Sequence, residues 1–252
     1  MPDTRTHRGP HPEDARLFAP AAWPALQRAA ADLCWLLSRG YAAPSALKLV
    51  GDRHQLTERQ RNAVARCACP EASRAGRESR RVGPESLAGR QLWIDGYNVL
   101  TTVEVALGGG VLLGASDRTY RDLASMHGTY RKVSETLPAL ELLGQAGVRL
   151  GTGAWTWFLD RPVGNSGRLR TVMEQLAGER RWNWRIELVQ NPDKVLAEAT
   201  ETVATADSVV LDRCRLWFNL ARDVVDSSLP GAVIVPIAGR APAQDPVTGP
   251  RS

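Results

Sequence analysis

Four aspartates carry the chemistry most directly legible in this sequence. Asp95 closes the apolar run Gln91-Leu-Trp-Ile-Asp95, Asp160 closes Ala154-Trp-Thr-Trp-Phe-Leu-Asp160, and Asp207 closes Thr202-Val-Ala-Thr-Ala-Asp207. Asp193 opens the segment after a fourth run, Trp184-Arg-Ile-Glu-Leu-Val189. Short apolar runs bounded by turn residues predict buried strands. In an open parallel sheet the carboxyl ends of the strands share one rim, and ligands bind in the crevice there. Acids gathered on such a rim without matching Lys or Arg repel one another unless they are protonated or neutralised by a cation. Oxygen-only donors select hard ions such as Mg2+ or Mn2+. Such an ion can activate a water and neutralise charge on a phosphodiester. Each acid taken singly also serves as a turn former or helix cap, Asp193 in Asn191-Pro-Asp-Lys194 above all. Their recurrence at successive strands is what singles them out.

The elements that must position these acids alternate strand and helix from residue 90 onward, the pattern of a parallel sheet with crossover helices. Helical spacing covers Tyr120 to Gln145, with an interruption near Pro138, then Arg168 to Gly178, Pro192 to Thr200 and Cys214 to Val225; Ala232 to Pro236 is a last strand. Gly108-Gly-Gly110 with Gly114 predicts a flexible hairpin or lid, since no Gly-Lys-Ser/Thr follows to make a phosphate cradle. A Gly-x-Ser-x-Gly elbow is missing, and Asp95 is followed by Gly96-Tyr97, not by x-Asp. These exclude a serine hydrolase of that elbow type and a halo-acid phosphatase.

Upstream, Asp14 to Arg39 has helical spacing, split by Pro20 and Pro24, and Thr57-Glu-Arg-Gln60 forms a capping box for a helix running to about Cys67. Residues 70–89 are polar, rich in Gly, Ser and Pro, and without apolar period, which predicts a linker. The expected organisation is a small all-α basic domain over 1–69, that linker, an α/β domain over 90–238 and a disordered tail over 239–252. Of the 252 residues, 32 are Lys or Arg and 27 Asp or Glu, and the whole net charge of +5 falls within residues 1–85. Arg53, Arg59, Arg61 and Arg66 cluster around the second helix, where they either face solvent or contact phosphates without reading sequence. Arg131 and Lys132, next to His127, offer the same chemistry within the α/β part.

No apolar run reaches the ~18 residues of a membrane span, and Met1 to Pro12 is polar, so a cytoplasmic protein without membrane contact is expected. Four cysteines are too few and uneven for a disulfide framework. Cys34, Cys67 and Cys69 with His54 contain zinc donors but lack the usual two-residue knuckle spacing. The alternating tryptophans Trp155, Trp157, Trp182 and Trp184 suit sheet packing better than base stacking.

Trp93-Ile-Asp-Gly-Tyr-Asn-Val99 resembles the first strand of PIN-like nucleases of the NYN branch, and Ala204-Thr-Ala-Asp207-Ser208 is similar to the Thr/Ser-x-Asp element ending that fold's fourth strand. Phe158-Leu-Asp160 and Asn191-Pro-Asp193 fall where the intermediate acids would stand. The resemblance covers roughly residues 90–237. Leu49-Val-Gly-Asp-Arg53, Leu56-Thr-Glu-Arg-Gln-Arg61, Ile94-Asp-Gly-Tyr-Asn98 and His127-Gly-Thr-Tyr-Arg131 together also resemble a prokaryotic domain-of-unknown-function family (434), followed by a second such domain (5616). The PIN-like resemblance implies a three-layer α/β domain with a mostly parallel sheet and a ribonuclease using Mg2+ or Mn2+. Asp95, Asp160, Asp193 and Asp207 would be catalytic, with Asp95, Asp207 and Asp160 on the metal and Asn98, Asp117, Asp122 and Ser208 in support. The Gly-rich insertion Thr101 to Thr119 departs from that pattern, and there Asp117, Asp122 and Glu104 compete for the second acid's role. Two other functions stay open: a non-catalytic RNA, nucleotide or scaffold module on the same fold, and a phosphohydrolase of small molecules. Homo-oligomerisation stays open too.

Overall fold

The structure is a computed structural model that describes residues 7–124 and 129–238. In chain order the helical part comprises α1 (Asp14–Leu17), α2 (Trp23–Ser38), α3 (Ala43–Arg53), α4 (Glu58–Cys67) and α5 (Glu71–Arg80). There follow β1 (Leu92–Asp95), α6 (Gly96–Leu107), β2 (Val111–Gly114), β3 (Tyr120–Asp122), α7 (Thr136–Arg149), β4 (Trp155–Asp160), α8 (Ser166–Arg180) and β5 (Trp184–Val189). The chain continues through α9 (Pro192–Ala197), β6 (Thr202–Ala204), α10 (Ser208–Leu211), β7 (Leu216–Phe218), α11 (Leu220–Ser228) and β8 (Val233–Val235). Among the described residues, no helix is long and apolar enough to cross a membrane.

The expected α/β architecture is present. Five parallel strands form a sheet in the order β5-β4-β1-β6-β7. From β1 the chain runs outward through β4 and β5, then returns to the other side of β1 for β6 and β7. The order therefore reverses between β1 and β6, which makes their carboxyl ends the topological switch point. Residues alternate faces along each strand. Leu92 and Ile94 of β1, and Trp155, Trp157 and Leu159 of β4, enter a core shared with α6, α7, α8 and α11. Trp93 and Phe158 look the other way, into a core with α9 and α10. Trp155, Trp157, Trp182 and Trp184 pack ring against ring in the first core, with centroids 4.8–5.9 Å apart.

The capping box at Thr57 forms as the spacing predicts, with both reciprocal hydrogen bonds. Four expectations are corrected. Tyr120 to Gln145 is not one helix: Tyr120–Asp122 is β3, paired antiparallel with β2, and the helix begins at Thr136. Pro138 does not interrupt it, because it stands in the first turn, where the missing N–H has no partner to lose. Likewise Cys214 to Val225 divides into β7, whose Trp217 pairs with Val203, and α11. Gly108–Gly110 is neither hairpin nor lid but a tight turn between α6 and β2, with Gly109 at φ +72°. The backbone of Arg8 lies so close that a Cβ on Gly108 or Gly110 would sit 2.9–3.0 Å from its atoms.

The fourth correction concerns 70–89, which is not an unstructured link. Residues 71–80 form α5, and its stabilisation is ionic, so no apolar period announces it. Arg77, 2% exposed, meets Asp117 at 2.6 Å and Asp212 at 2.7 and 2.9 Å. Arg80 donates to the carbonyls of Leu211, Asp212 and Cys214 at 2.9–3.1 Å. The second sheet, in the order β3-β2-β8, packs Val111, Leu113, Val235 and Ile237 into the same core as Leu26, Leu33, Val50 and Val64 of the helices. The helical part and the α/β part thus share a core. The tail proposed over 239–252 and His127 lie outside the described residues.

Candidate active site

Strand alternation decides where the acids point. Asp95 is two residues from Trp93 and Asp160 two from Phe158, so both project to the face covered by α9 and α10. On that face stand Asp193, in the first turn of α9, and Asp207, the N-cap residue of α10. The four carboxylates feel one another: Asp207 and Asp193 act on Asp95, and Asp207 and Asp160 act on Asp193. None of the four makes an ion pair among the described residues.

The cap explanation separates them. Asp207 Oδ1 accepts from the N–H groups of Val209 and Val210 at 2.8 and 3.1 Å, so one of its oxygens is a cap. Asp95 makes no side-chain cap of ordinary length to α6, although the Asn98 N–H there lowers its carboxyl slightly, and in α9 the cap is Asn191, whose Oδ1 accepts from Lys194 N–H at 3.0 Å, leaving Asp193 out of that role.

A short hydrogen-bonded relay ties the ends of β1 and β6. Asp207 N–H donates to Thr205 Oγ1 at 2.9 Å, and Thr205 donates its proton to Asp95 Oδ2 at 2.7 Å. Ala206 N–H donates to Asn98 Oδ1 at 2.7 Å. Asn98 and Thr205 thereby hold the switch point closed around Asp95, which is only 7% exposed. Burial pushes the Asp95 carboxyl up to about 7; the hydrogen bond from Thr205 opposes this, and the charges of Asp207 and Asp193 add to it. Burial also raises Asp193, with help from Asp207 and Asp160, and it raises Asp160. Thr205, which is the Thr of the Thr-x-Asp element that the sequence displays, joins the site through its bond to Asp95, a role that the element's spacing alone does not assign.

The other expected site residues divide. Arg131 and Lys132 are exposed and are brought to the rim: Tyr130 N–H donates to Gly164 O and Asn165 Nδ2 donates to Tyr130 O, both at 3.0 Å. That holds their segment against the loop directly after Asp160. Ser208 stands beside Asp207 and meets Arg77 at 3.5 Å. Asp117 and Asp122 lie in the second sheet's β2–β3 hairpin, Asp117 on the Arg77 guanidinium that also meets Ser208 and Asp122 on the Thr102 hydroxyl that also bonds Asn98 O. Asp117 is held below the usual carboxylate range, against burial, by Arg121, Thr119 and Arg77; Asp122 is raised by burial and accepts from Thr102 at 3.1 Å. Glu104 is fully buried against Arg8, Tyr130 and Thr136.

Of the N-terminal arginines, Arg59 holds Asp14 at 2.6 and 3.0 Å, Arg61 holds Asp52 at 2.8 Å, and Arg66 donates to Asp122 O at 2.9 Å. Arg53 is the exception, 3.7 Å from Asp32 and mostly exposed. His54 pairs with Asp32 at 2.8 Å. Cys69 meets Ser116 Oγ at 3.2 Å, and burial pushes the Cys67 thiol up to about 12.

The four acids offer hard oxygen donors and make no ion pair among the described residues, which fits a divalent ion by type. Among the described residues no three His, Cys, Asp or Glu side chains stand close enough to share one ion. Mg2+ typically takes one or two carboxylates and completes its shell with water and substrate phosphate.

An uncharacterized protein of Methanocaldococcus jannaschii, MJ0935, is 26% identical over 186 residues, spanning 74% of this chain and 88% of that protein. No solved structure matches significantly. A family described as a protein of unknown function (DUF434) matches residues 25–80, and one described as a domain of unknown function (DUF5616) matches residues 84–223. The latter match spans more than half of the chain, its switch point and its four acids included: the chain belongs to the DUF5616 family.

Proposed function

We propose that this protein is a metal-dependent ribonuclease built on a PIN-like α/β domain. The observation that carries the reading is four carboxylates, without ion pairs among the described residues, around the switch point of a parallel sheet, one of them raised by burial with its acidic neighbours adding to the shift. Asp95 and Asp207 would hold Mg2+ or Mn2+. Such an ion lowers the pKa of a bound water and offsets charge on the phosphoryl oxygens. Asp160 and Asp193 complete the acidic rim and orient water, Thr205 fixes which oxygen of Asp95 remains free, and Arg131 and Lys132 take substrate phosphates.

The test is cleavage of single-stranded and structured RNAs with and without Mg2+ or Mn2+. Asp95→Asn and Asp207→Asn should each lower the rate by more than the roughly 10–100-fold typical of outer-shell positions. Cleavage that survives Asp95→Asn unchanged comes from a contaminant and sinks the reading.

One observation favours a second reading, a non-catalytic RNA or nucleotide-binding module: among the described residues no three acids are drawn together to hold one ion. RNA binding that is indifferent to Mg2+ and never followed by cleavage would select it.

A further inference from the structure

Once Arg59, Arg61 and Arg66 are committed to internal bonds, the unspent positive charge of the helical part lies elsewhere. Along α2, Arg28, Asp32, Trp35 and Arg39 recur every three or four residues and so share one face. That face points away from the core formed by Leu26, Ala29, Ala30, Leu33 and Leu36. Trp35 is 53% exposed and Tyr41 55%. Their placement is fixed: Gly40 turns the chain at φ +78° and Tyr41 N–H donates back to Leu36 O at 3.3 Å, holding Tyr41 beside the last turn of α2. The Arg39 guanidinium lies 3.6 Å from the centroid of the Trp35 ring.

Residues 23–54 contain four Lys or Arg and two carboxylates. Both carboxylates are taken, Asp32 by His54 and Arg53 and Asp52 by Lys48 and Arg61. Arg28 and Arg39 have no carboxylate partner among the described residues. An apolar partner would cover the rings and leave these cations uncompensated. A polyanion carrying flat rings answers both, since bases stack on exposed aromatics and guanidinium planes while basic side chains follow the phosphates.

We propose that this face of α2 and the turn after it is a docking platform for single-stranded nucleic acid. Bases stack on Trp35 and Tyr41, and Arg28 and Arg39 take the phosphates. In naming how an RNA substrate is held, the proposal rests on the ribonuclease reading, but the platform itself needs no cleavage.

The experiment is fluorescence anisotropy of a labelled oligouridylate with the full chain in EDTA, where divalent-dependent cleavage is silent. Trp35→Ala and Tyr41→Ala should each weaken binding about 5- to 100-fold, the equivalent of one stacked base, and Trp35→Phe should recover most of the loss. Arg39→Gln should reduce the slope of log affinity against log salt by about 0.7. Unchanged affinity in a Trp35→Ala protein with a wild-type melting curve overturns the proposal. So does a Trp35→Ala protein that loses self-association and keeps its RNA affinity, which would make the face a contact between copies. Cleavage that persists in Asp95→Asn fells the nuclease reading and leaves the anisotropy result untouched.

Discussion

Asp95 illustrates how a single carboxylate is shaped by its surroundings. With a folded-state pKa of about 7 against 3.8 in an ordinary setting, the folded chain keeps a proton that the unfolded chain has released between those values. The stabilisation that follows is complete below pH ~4 and is lost as pH rises through about 7. Wild-type melting temperature should therefore fall between pH 5 and pH 8 by an amount that Asp95→Asn, unable to ionise, does not show. At pH 8 the variant should be the more stable by up to about 4 kcal/mol, taking ~1.4 kcal/mol per pKa unit as the upper bound. Parallel pH profiles for the two proteins in thermal melts would contradict this. Added Mg2+, binding the ionised form, should restore part of the wild-type loss at pH 8. The four acids were legible in the sequence because each stands at the end of an apolar run or just after one. What no pattern of residue types reveals is that Thr205 reaches from β6 to Asp95, a contact between positions 110 residues apart.

Among the elements, those recognised from the sequence are held by what the sequence displays. β1, β4, β5 and β6 are apolar runs, and α4 carries its capping box. Elements that escaped are held by what they pair with more than by their own pattern: β3 exists because β2 offers it a ladder, β7 because β6 does, and α5 because Arg77 finds Asp117 and Asp212. The junction of β1 with α6 belongs to the same class. Gly96 follows Asp95 directly, and a Cβ there would lie 2.5 Å from Leu159 Cδ2 and 2.8 Å from Phe158 O. The start of α6 can rest on β4 only without a side chain. Gly96→Ala should cost about 1–3 kcal/mol of stability, as overpacking does. Gly178→Ala, in open space on α8, should be neutral or stabilising by up to ~1 kcal/mol. Urea unfolding of both proteins checks the pair, and equal midpoints would show that the close approach at Gly96 relaxes freely.

Across the whole molecule, the division into a helical domain and an α/β domain does not survive as a division of cores. Val111, Leu113, Ala115, Val235 and Ile237 have the helices as their cover. Residues 84–252 expressed alone should expose that surface, bind a hydrophobic dye and aggregate; a soluble monomer with a cooperative melt would show that the helices are dispensable for folding. The charge excess of residues 1–85, which looks like one basic patch in the sequence, disperses in three dimensions into internal ties at Arg59, Arg61 and Arg66 and cations without a carboxylate partner among the described residues at Arg28 and Arg39. Arg77 carries a consequence of a different kind. It lies in the segment matched over 25–80, while Asp117 and Asp212 lie in the segment matched over 84–223. Asp117 is 1% exposed at its side chain, with Arg121 as its other cation. A descendant that dropped the first segment would leave Asp117 short of one of its two counter-charges and Asp212 without its own. Losing either segment would thus strand buried charge in the other, and the Arg77 guanidinium is where the two depend on each other most directly.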